Sequence, residues 1–389
     1  MVKKIGVVTA TRAEYGLLEP VVKQLRTYED DLLRIELIVT GTHLSSKYGN
    51  TVGEIRDAGI RIDGEVTIPV ESQSELDISR NQADVLIKFT ELFLKKKYDA
   101  VMLLGDRYET LAIAIAAGNT KTPIFHLCGG DTTEGAIDEW IRHSVTKISY
   151  LHFTTNEESK RRVIQLGEAP DRVFNYGSTS IDNIKNMELM SRRDVLKSIG
   201  LQDCRYAICT YHPVTMGDTG VEEQMKHFFE AVRVLSEIEF IVTKSNADQG
   251  GARINELLDC AGTHIDNLHV FSSLGTKRYL SLMCHAEFVL GNSSSGIIEA
   301  PALKVPTVNI GDRQKGRLQT AGIVNCEPDA GSIIAAIRIA MGEEIHDKCR
   351  KIDSPYGDGH AAERIAKKAV EVVLEGRINL KKRFWNGIG

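Results

Sequence analysis

The sequence predicts an α/β protein built from two open, mainly parallel sheets, each in a domain of its own. Three observations carry this. Short apolar runs recur, each followed by a polar turn and a helical pattern, as strands linked by crossover helices require. The runs are continuously apolar rather than alternating, the mark of strands covered on both faces. They also fall into two groups of about five, in a chain whose 389 residues suit two domains of roughly 150–200 residues each.

The first group is IGVVTA (5–10), IELIVT (35–40), AVMLLG (100–105), PIFHLC (123–128) and LHFTT (151–155). The second is AICTY (207–211), FIVTK (240–244), LHVF (268–271), FVLG (288–291) and TVNI (307–310). Between them, over Gln165–Asp182, Gly, Pro and Asp punctuate the pattern, and the domain hinge is expected there. Residues 1–172 then form the first lobe and 173–359 the second. Past the turn residues of SPYGDGH, Ala361–Leu374 has the composition of an amphipathic helix, and residues 360–389 are expected to pack back on the first lobe.

Composition excludes several classes. The 48 basic and 53 acidic residues are well mixed, with a net charge of −5, so nothing supplies the basic stripe that a nucleic-acid backbone needs. No apolar run nears the ~18–20 residues that span a bilayer, and the start reads as a first strand rather than a signal peptide. The seven cysteines are odd in number and widely spaced, which favours reduced thiols in a cytoplasmic protein. Clustered Cys/His spacing is missing, so neither a metal nor another cofactor is expected.

In open parallel sheets, ligands bind beyond the carboxyl ends of the strands, and two such sheets facing each other would share one cleft. Polar residues just after strands are therefore the candidates. The clearest segment is FVLGNSSSGIIEAPAL (288–303): a buried strand, a serine turn with Ser293 and Ser294, and a helix opening behind Gly296. Serine hydroxyls and free N–H groups at a helix start make an anion cradle suited to a diphosphate, and Glu299 could accept from ribose hydroxyls. An N-cap serine run before a core helix explains the same residues equally well.

In LLGDRYET (103–110), Asp106 is a candidate acid or base and Arg107 a phosphate fork, against an N-cap Asp beside an exposed Arg. Arg12, after the first strand, has the same two readings. HLCGGDTTEGAIDEWIRH (126–143) gathers Asp131, Glu134, Asp138 and Arg142, and the spacing of the last three puts them on one helix face, as a site or as a salt-bridge ladder. Two glycines before them, Gly129 and Gly130, suggest backbone close to a ligand. In the second half His212 ends a strand in front of a proline, as a site residue or a structural one, and Arg313 lies in a loop that reads as phosphate-binding or simply solvated. KSNADQGG and VFSSLG follow further strands and by themselves indicate only loops.

Taken in order, TATRAEYG, GTHLSSKYGNT, LLGDRYE, GGDTTEGAIDEWIRH, the Tyr-His-Pro-Val-Thr stretch, GNSSSGIIEAP, NIGDRQKGR and PYGDGHAAERI resemble the hydrolysing UDP-N-acetylglucosamine 2-epimerase family, from about residue 5 to about residue 370. The resemblance implies two Rossmann-like lobes in a glycosyltransferase-B-like arrangement, with the active site in the interdomain cleft and a homodimer or homotetramer as the assembly. It implies a nucleotide-sugar substrate, UDP-N-acetylglucosamine or a close relative, with Ser293, Ser294 and Glu299 on diphosphate and ribose. Arg12, Arg107 and Arg313 would face phosphates, and Asn246 and Ser272 would line the nucleotide pocket. The implied chemistry removes the C2 proton with anti elimination of UDP, then hydrates the glycal to free N-acetylmannosamine. Asp106 and Asp138 are the implied acid/base pair, with His212 near the leaving diphosphate or the sugar.

One departure stands out. Where relatives carry a glutamate in H-x-E-G-G-E, this chain has Cys128, leaving Asp131 or Glu134 to take over, and the change is also compatible with a different sugar, a 2,4-diacetamido-2,4,6-trideoxyglucose carried by UDP or GDP on the route to legionaminic-type acids. Rival readings are a non-hydrolysing 2-epimerase, a glycosyltransferase of the same architecture, and a catalytically silent nucleotide-sugar sensor. GDRQKGR resembles the hydrolysing branch.

Overall fold

The computed structural model describes residues 2–70, 74–134, 136–214, 220–245 and 250–387. The chain divides into two compact units, one of residues 1–131, 138–183 and 356–389, the other of 132–137 and 184–355.

The first unit is a seven-stranded parallel sheet. Its strands are β1 (Lys3–Thr9), β2 (Leu33–Thr40), β3 (Gly64–Val66), β4 (Ala100–Leu104), β5 (Ile124–Leu127), β6 (Leu151–Thr154) and β7 (Val173–Asn175), in the order β3-β2-β1-β4-β5-β6-β7. β4 and β5 are buried at every position, which is why they read as unbroken apolar runs. The helix Arg12–Arg26 begins with a capping box: the Glu14 N–H donates to Thr11 Oγ1 at 3.3 Å, and Glu14 Oε2 accepts from the Thr11 N–H at 3.2 Å. Its Leu18, Val21, Val22 and Leu25 share one core with Ile365, Ala366, Ala369 and Val370 of the final helix, Ala361–Glu375. Both Asp182 carboxylate oxygens close that helix start, accepting from the Ala361 and Ala362 N–H groups at 3.1 and 2.7 Å. The segment after the helix is anchored at Glu168, 1% exposed, whose carboxylate accepts from Lys147 and Lys382 at 2.6 and 2.8 Å and lies beside His152.

The second unit repeats the plan. β8 (Tyr206–Thr210), β9 (Glu239–Thr243), β10 (Leu268–Phe271), β11 (Phe288–Gly291), β12 (Thr307–Ile310) and β13 (Ile323–Cys326) form a parallel sheet in the order β10-β9-β8-β11-β12-β13. Both sheets are thus doubly wound and Rossmann-like. In each, the order reverses beside the first strand, between β1 and β4 and between β8 and β11, and such switch points open the crevice where ligands lie. Among the described residues no helix is long and apolar enough to cross a membrane.

Two boundaries differ from expectation. The first unit runs to residue 183 rather than 172, because β7 pairs with β6 and completes the first sheet. Residues 132–137 cluster with the second unit, where the Thr132 carbonyl accepts from Arg317 Nε at 3.0 Å.

Candidate active site

In the first unit, Arg12, Asp106 and Arg107 follow β1 and β4, the two strands flanking the switch point. Asp106 is held by Arg142, on the helix Asp138–Ile148. Arg142 Nε donates to Asp106 Oδ2 at 2.9 Å, Nη2 donates to the same oxygen, and Nη1 donates to the Asp131 carbonyl at 2.8 Å and to Glu139 Oε2 at 3.2 Å. The Arg142 side chain is 1% exposed and Asp106 25%, so a buried cation holds a carboxylate that still reaches solvent. Burial works against the guanidinium charge, but Asp106, Asp131 and Asp138 outweigh it and raise the Arg142 pKa. Arg142 thus binds the carboxylate of one candidate, Asp106, and the main-chain carbonyl of another, Asp131.

Behind this pair lies His126, fully buried on β5, its Nε2 3.3 Å from the Gly105 carbonyl and its Nδ1 3.3 Å from Thr146 Oγ1. Burial lowers its pKa to about 3, so the ring is neutral and can donate from Nε2 to the peptide just ahead of Asp106. A second acidic group lies close by. Burial first, and the nearby Glu109 second, push Glu14 up to about 8. Glu109 is in turn paired with Arg107 at 2.6 Å.

The raised Glu14 value has a measurable consequence. In the unfolded chain Glu14 ionises near its ordinary value of 4.5, so stability is fully present below that pH and falls as pH rises toward 8. Gln at this position keeps the acceptor for the Ala10 and Thr11 N–H groups without the charge. The melting temperature of Glu14→Gln is therefore expected to decline less than that of the parent chain between pH 5 and pH 8. Parallel curves would show that Glu14 does not take up a proton on folding.

In the second unit, β11 ends at Gly291 and the turn Asn292–Ser294 leads into the helix Ser295–Ala302, which carries Glu299. Ser295 Oγ contacts Ser293 Oγ at 3.2 Å and Tyr279 Oη at 2.6 Å, so the serine turn is internally tied. His212 follows β8, its Nδ1 3.1 Å from Ser245 Oγ. Arg313 returns to the same turn, donating from Nη1 to the Asn292 carbonyl at 3.1 Å. Serine turn, His212 and Arg313 thus converge at the β8/β11 switch point, where a helix start favours an anion. A separate cavity of about 770 Å³ lies beside the Arg313 loop, lined by Asn309, Asp312, Lys315, Arg317, Asn325 and Glu327 among others.

A family model described as UDP-N-acetylglucosamine 2-epimerase matches residues 26–369. The GDP/UDP-N,N'-diacetylbacillosamine 2-epimerase (hydrolyzing) of Campylobacter jejuni is 39% identical over 327 residues, 84% of either chain. The chain belongs to the UDP-N-acetylglucosamine 2-epimerase family. Another relative, the UDP-N,N'-diacetylbacillosamine 2-epimerase (hydrolyzing) of Legionella pneumophila, is 32% identical over 97% of this chain and 98% of its own. Among solved structures, UDP-GlcNAc 2-epimerase from Neisseria meningitidis bound to UDP-GlcNAc superposes with a TM-score of 0.81 at 19% identity, covering 95% of this chain and all of that one, a likeness of fold.

Within this epimerase-family chain, several expected residues fall elsewhere than the sequence indicated. The helix begins at Asp138, so Glu134 lies in an exposed turn ahead of it and shares no helix face with Asp138 and Arg142. Glu134 belongs to the second unit, its backbone N–H donating to the Lys315 carbonyl at 3.5 Å. Asp131 is 6% exposed, and its Oδ1 accepts from Thr155 Oγ1 and Ser159 Oγ, both at 2.6 Å, an acceptor that braces the fold. The two glycines approach protein: a Cβ on Gly130 would lie 2.2 Å from the Ser159 carbonyl oxygen, and one on Gly129 2.9 Å from His126 Nδ1. Cys128 packs against the core with a left-handed backbone, φ 63°, its N–H donating to the Phe153 carbonyl at 2.9 Å. Ser272 is exposed just past β10, and Asn246 lies outside the described residues.

His126 and Asn292 were missed as site residues. Each sits inside a motif already singled out, but an Asn before serines and a His within an apolar strand read as turn and core.

Proposed function

We propose that this chain is a hydrolysing 2-epimerase of a nucleoside-diphosphate 2-acetamido sugar, and that its sugar is a 2,4-diacetamido-2,4,6-trideoxyglucose rather than N-acetylglucosamine. The observation that carries the chemistry is the partly exposed Asp106 held at a switch point by a buried Arg142. Two relatives named as N,N'-diacetylbacillosamine 2-epimerases support the choice of sugar.

In this reading Ser293, Ser294, Arg12, Arg107 and Arg313 hold the diphosphate, Glu299 takes the ribose hydroxyls, and Ser272 and Asn246 line the nucleoside. One of Asp106 and Asp138 removes the proton from sugar C2. The electron pair of that C–H bond forms the C1–C2 double bond as the C1–O bond breaks, and the nucleoside diphosphate leaves with the C1–O pair. Cationic groups around the diphosphate lower the barrier by stabilising the negative charge that builds on it. Water then adds, its hydroxyl to C1 and a proton to C2 from the opposite face, giving the C2-epimerised free sugar. The net change is nucleotide-sugar plus water to nucleoside diphosphate plus epimer. In this reading His212 assists departure of the diphosphate.

The test is a panel of UDP-N-acetylglucosamine, UDP-2,4-diacetamido-2,4,6-trideoxyglucose and their GDP counterparts, followed by NMR in deuterated water. The expected products are free nucleoside diphosphate and a free C2-epimer carrying deuterium at C2, with the diacetamido sugar turned over best. A product still attached to its nucleotide would overturn hydrolysis, and a preference for N-acetylglucosamine would overturn the choice of sugar.

A further inference from the structure

β8 and β9 run side by side, Thr210 opposite Thr243, and beyond those residues the regular ladder stops. Two residues on, at equivalent positions, stand His212 and Ser245, each 7–8% exposed. A backbone this buried must pair its polar groups, and the strands no longer do so. Side-chain amides take over. Asn292 Oδ1 accepts from the His212 N–H at 2.7 Å and Asn292 Nδ2 donates to the His212 carbonyl at 2.8 Å. Asn255 treats Ser245 identically, its Oδ1 accepting from the Ser245 N–H at 2.8 Å and its Nδ2 donating to the Ser245 carbonyl at 3.2 Å.

Each amide therefore stands in for the next peptide of a strand. The two extended ends are then joined sideways by the 3.1 Å contact between His212 Nδ1 and Ser245 Oγ, which sets the rotation of the imidazole. Asn292 reaches His212 because the chain turns at Gly291, φ 134°, where any Cβ would lie 2.1 Å from the Thr210 carbonyl oxygen. The main-chain carbonyl of Asn292 also accepts from Arg313 Nη1 and from Gln314 Nε2, the latter at 2.8 Å. One fully buried asparagine thus links the serine turn, the His212 segment and the Arg313 loop.

We infer that Asn292 and Asn255 are a matched pair of positioning residues that carry β8 and β9 two residues past the ladder between them, so that His212 is presented to the diphosphate in a fixed orientation. This rests on the nucleotide-sugar reading of the serine turn. Aspartate is the diagnostic replacement, being the same shape: it can still accept from the backbone N–H, but its second oxygen faces a carbonyl oxygen with no proton between them.

The test is UDP titration by calorimetry of the parent chain, N292D, N255D, H212A and the double variants. Losing a hydrogen bond to a charged group costs roughly ten- to a hundredfold in affinity, so N292D and N255D are each expected to weaken UDP binding by at least about tenfold. Asn255 acts only through Ser245 and His212, so N255D should add nothing further in the H212A background, whereas a general loss of structure would weaken both backgrounds alike. N292D should keep part of its effect there, because it also opens the serine turn. If N292D does not fold, the half-buried Asn255 still decides the matter through N255D. Parent-like UDP affinity in a folded N292D or N255D would overturn the clamp alone, and so would equal losses from N255D in the two backgrounds. A parent chain that binds no UDP would overturn the nucleotide reading and this role with it.

Discussion

Asp106→Asn is expected to yield a folded protein that still binds UDP but turns over its nucleotide-sugar about 10²–10⁴-fold more slowly, the range lost when a positioned acid or base is removed. The amide keeps the shape of the carboxylate and can still accept from Arg142 Nε, so local geometry survives. What disappears is a group able to take a proton. Arg142 retains Glu139 at 3.2 Å and the Asp131 carbonyl at 2.8 Å, which limits the cost of leaving its charge buried. UDP affinity is expected to persist because none of the groups assigned to the diphosphate is altered, and the neighbouring Arg107 keeps its pairing with Glu109. Turnover by NMR and UDP binding by titration separate the two effects. Parent-like turnover would remove Asp106 from proton transfer.

Arg142→Met should be the most destabilising single change in the first unit's site. The guanidinium donates to Asp106, to Glu139 and to the Asp131 carbonyl from a position 1% exposed. Methionine fills much of the volume but removes the guanidinium's bonds to Asp106 and to a buried carbonyl. Removing one member of a fully buried ion pair typically costs about 3–5 kcal/mol, and because Asp106 is 25% exposed and can be hydrated the expected cost lies toward or below the lower end of that range. The denaturation midpoint should fall accordingly. A double variant Asp106→Asn/Arg142→Met is expected to lose less stability than the two single changes summed, since the charges are then removed together. Strict additivity would mean that the pair contributes nothing as a pair.

The candidate site was legible where chemistry and strand ends coincide. Asp106, Arg107, His212 and Ser293 each follow an apolar run, and in an open parallel sheet the end of such a run faces the crevice. The switch points themselves were not legible, since strand order depends on which runs pair. The same holds for Arg142: its partner Asp106 is 36 residues away, and no periodic pattern connects them. Glu134 was misplaced because its spacing to Asp138 suits a helix, whereas the helix starts only at Asp138. The edge strands β3, β7 and β13 escaped notice for a different reason. At three or four residues, and partly exposed, GEV, VFN and IVNC present no apolar run.

By itself, the sequence determined the α/β class, the interior strands, the closing helix and the motif set that places the chain among nucleotide-sugar 2-epimerases. All of these are local: burial on both faces of a strand, or along one stripe of a helix, leaves its period in the residues that must be apolar. Tertiary structure alone decided that Arg142 would bind the Asp106 carboxylate and the Asp131 carbonyl, and that Asn292 would seize the backbone of His212 from 80 residues away. Those partnerships rest on buried charges and peptide groups finding complements across the fold, a requirement that has no period along the chain.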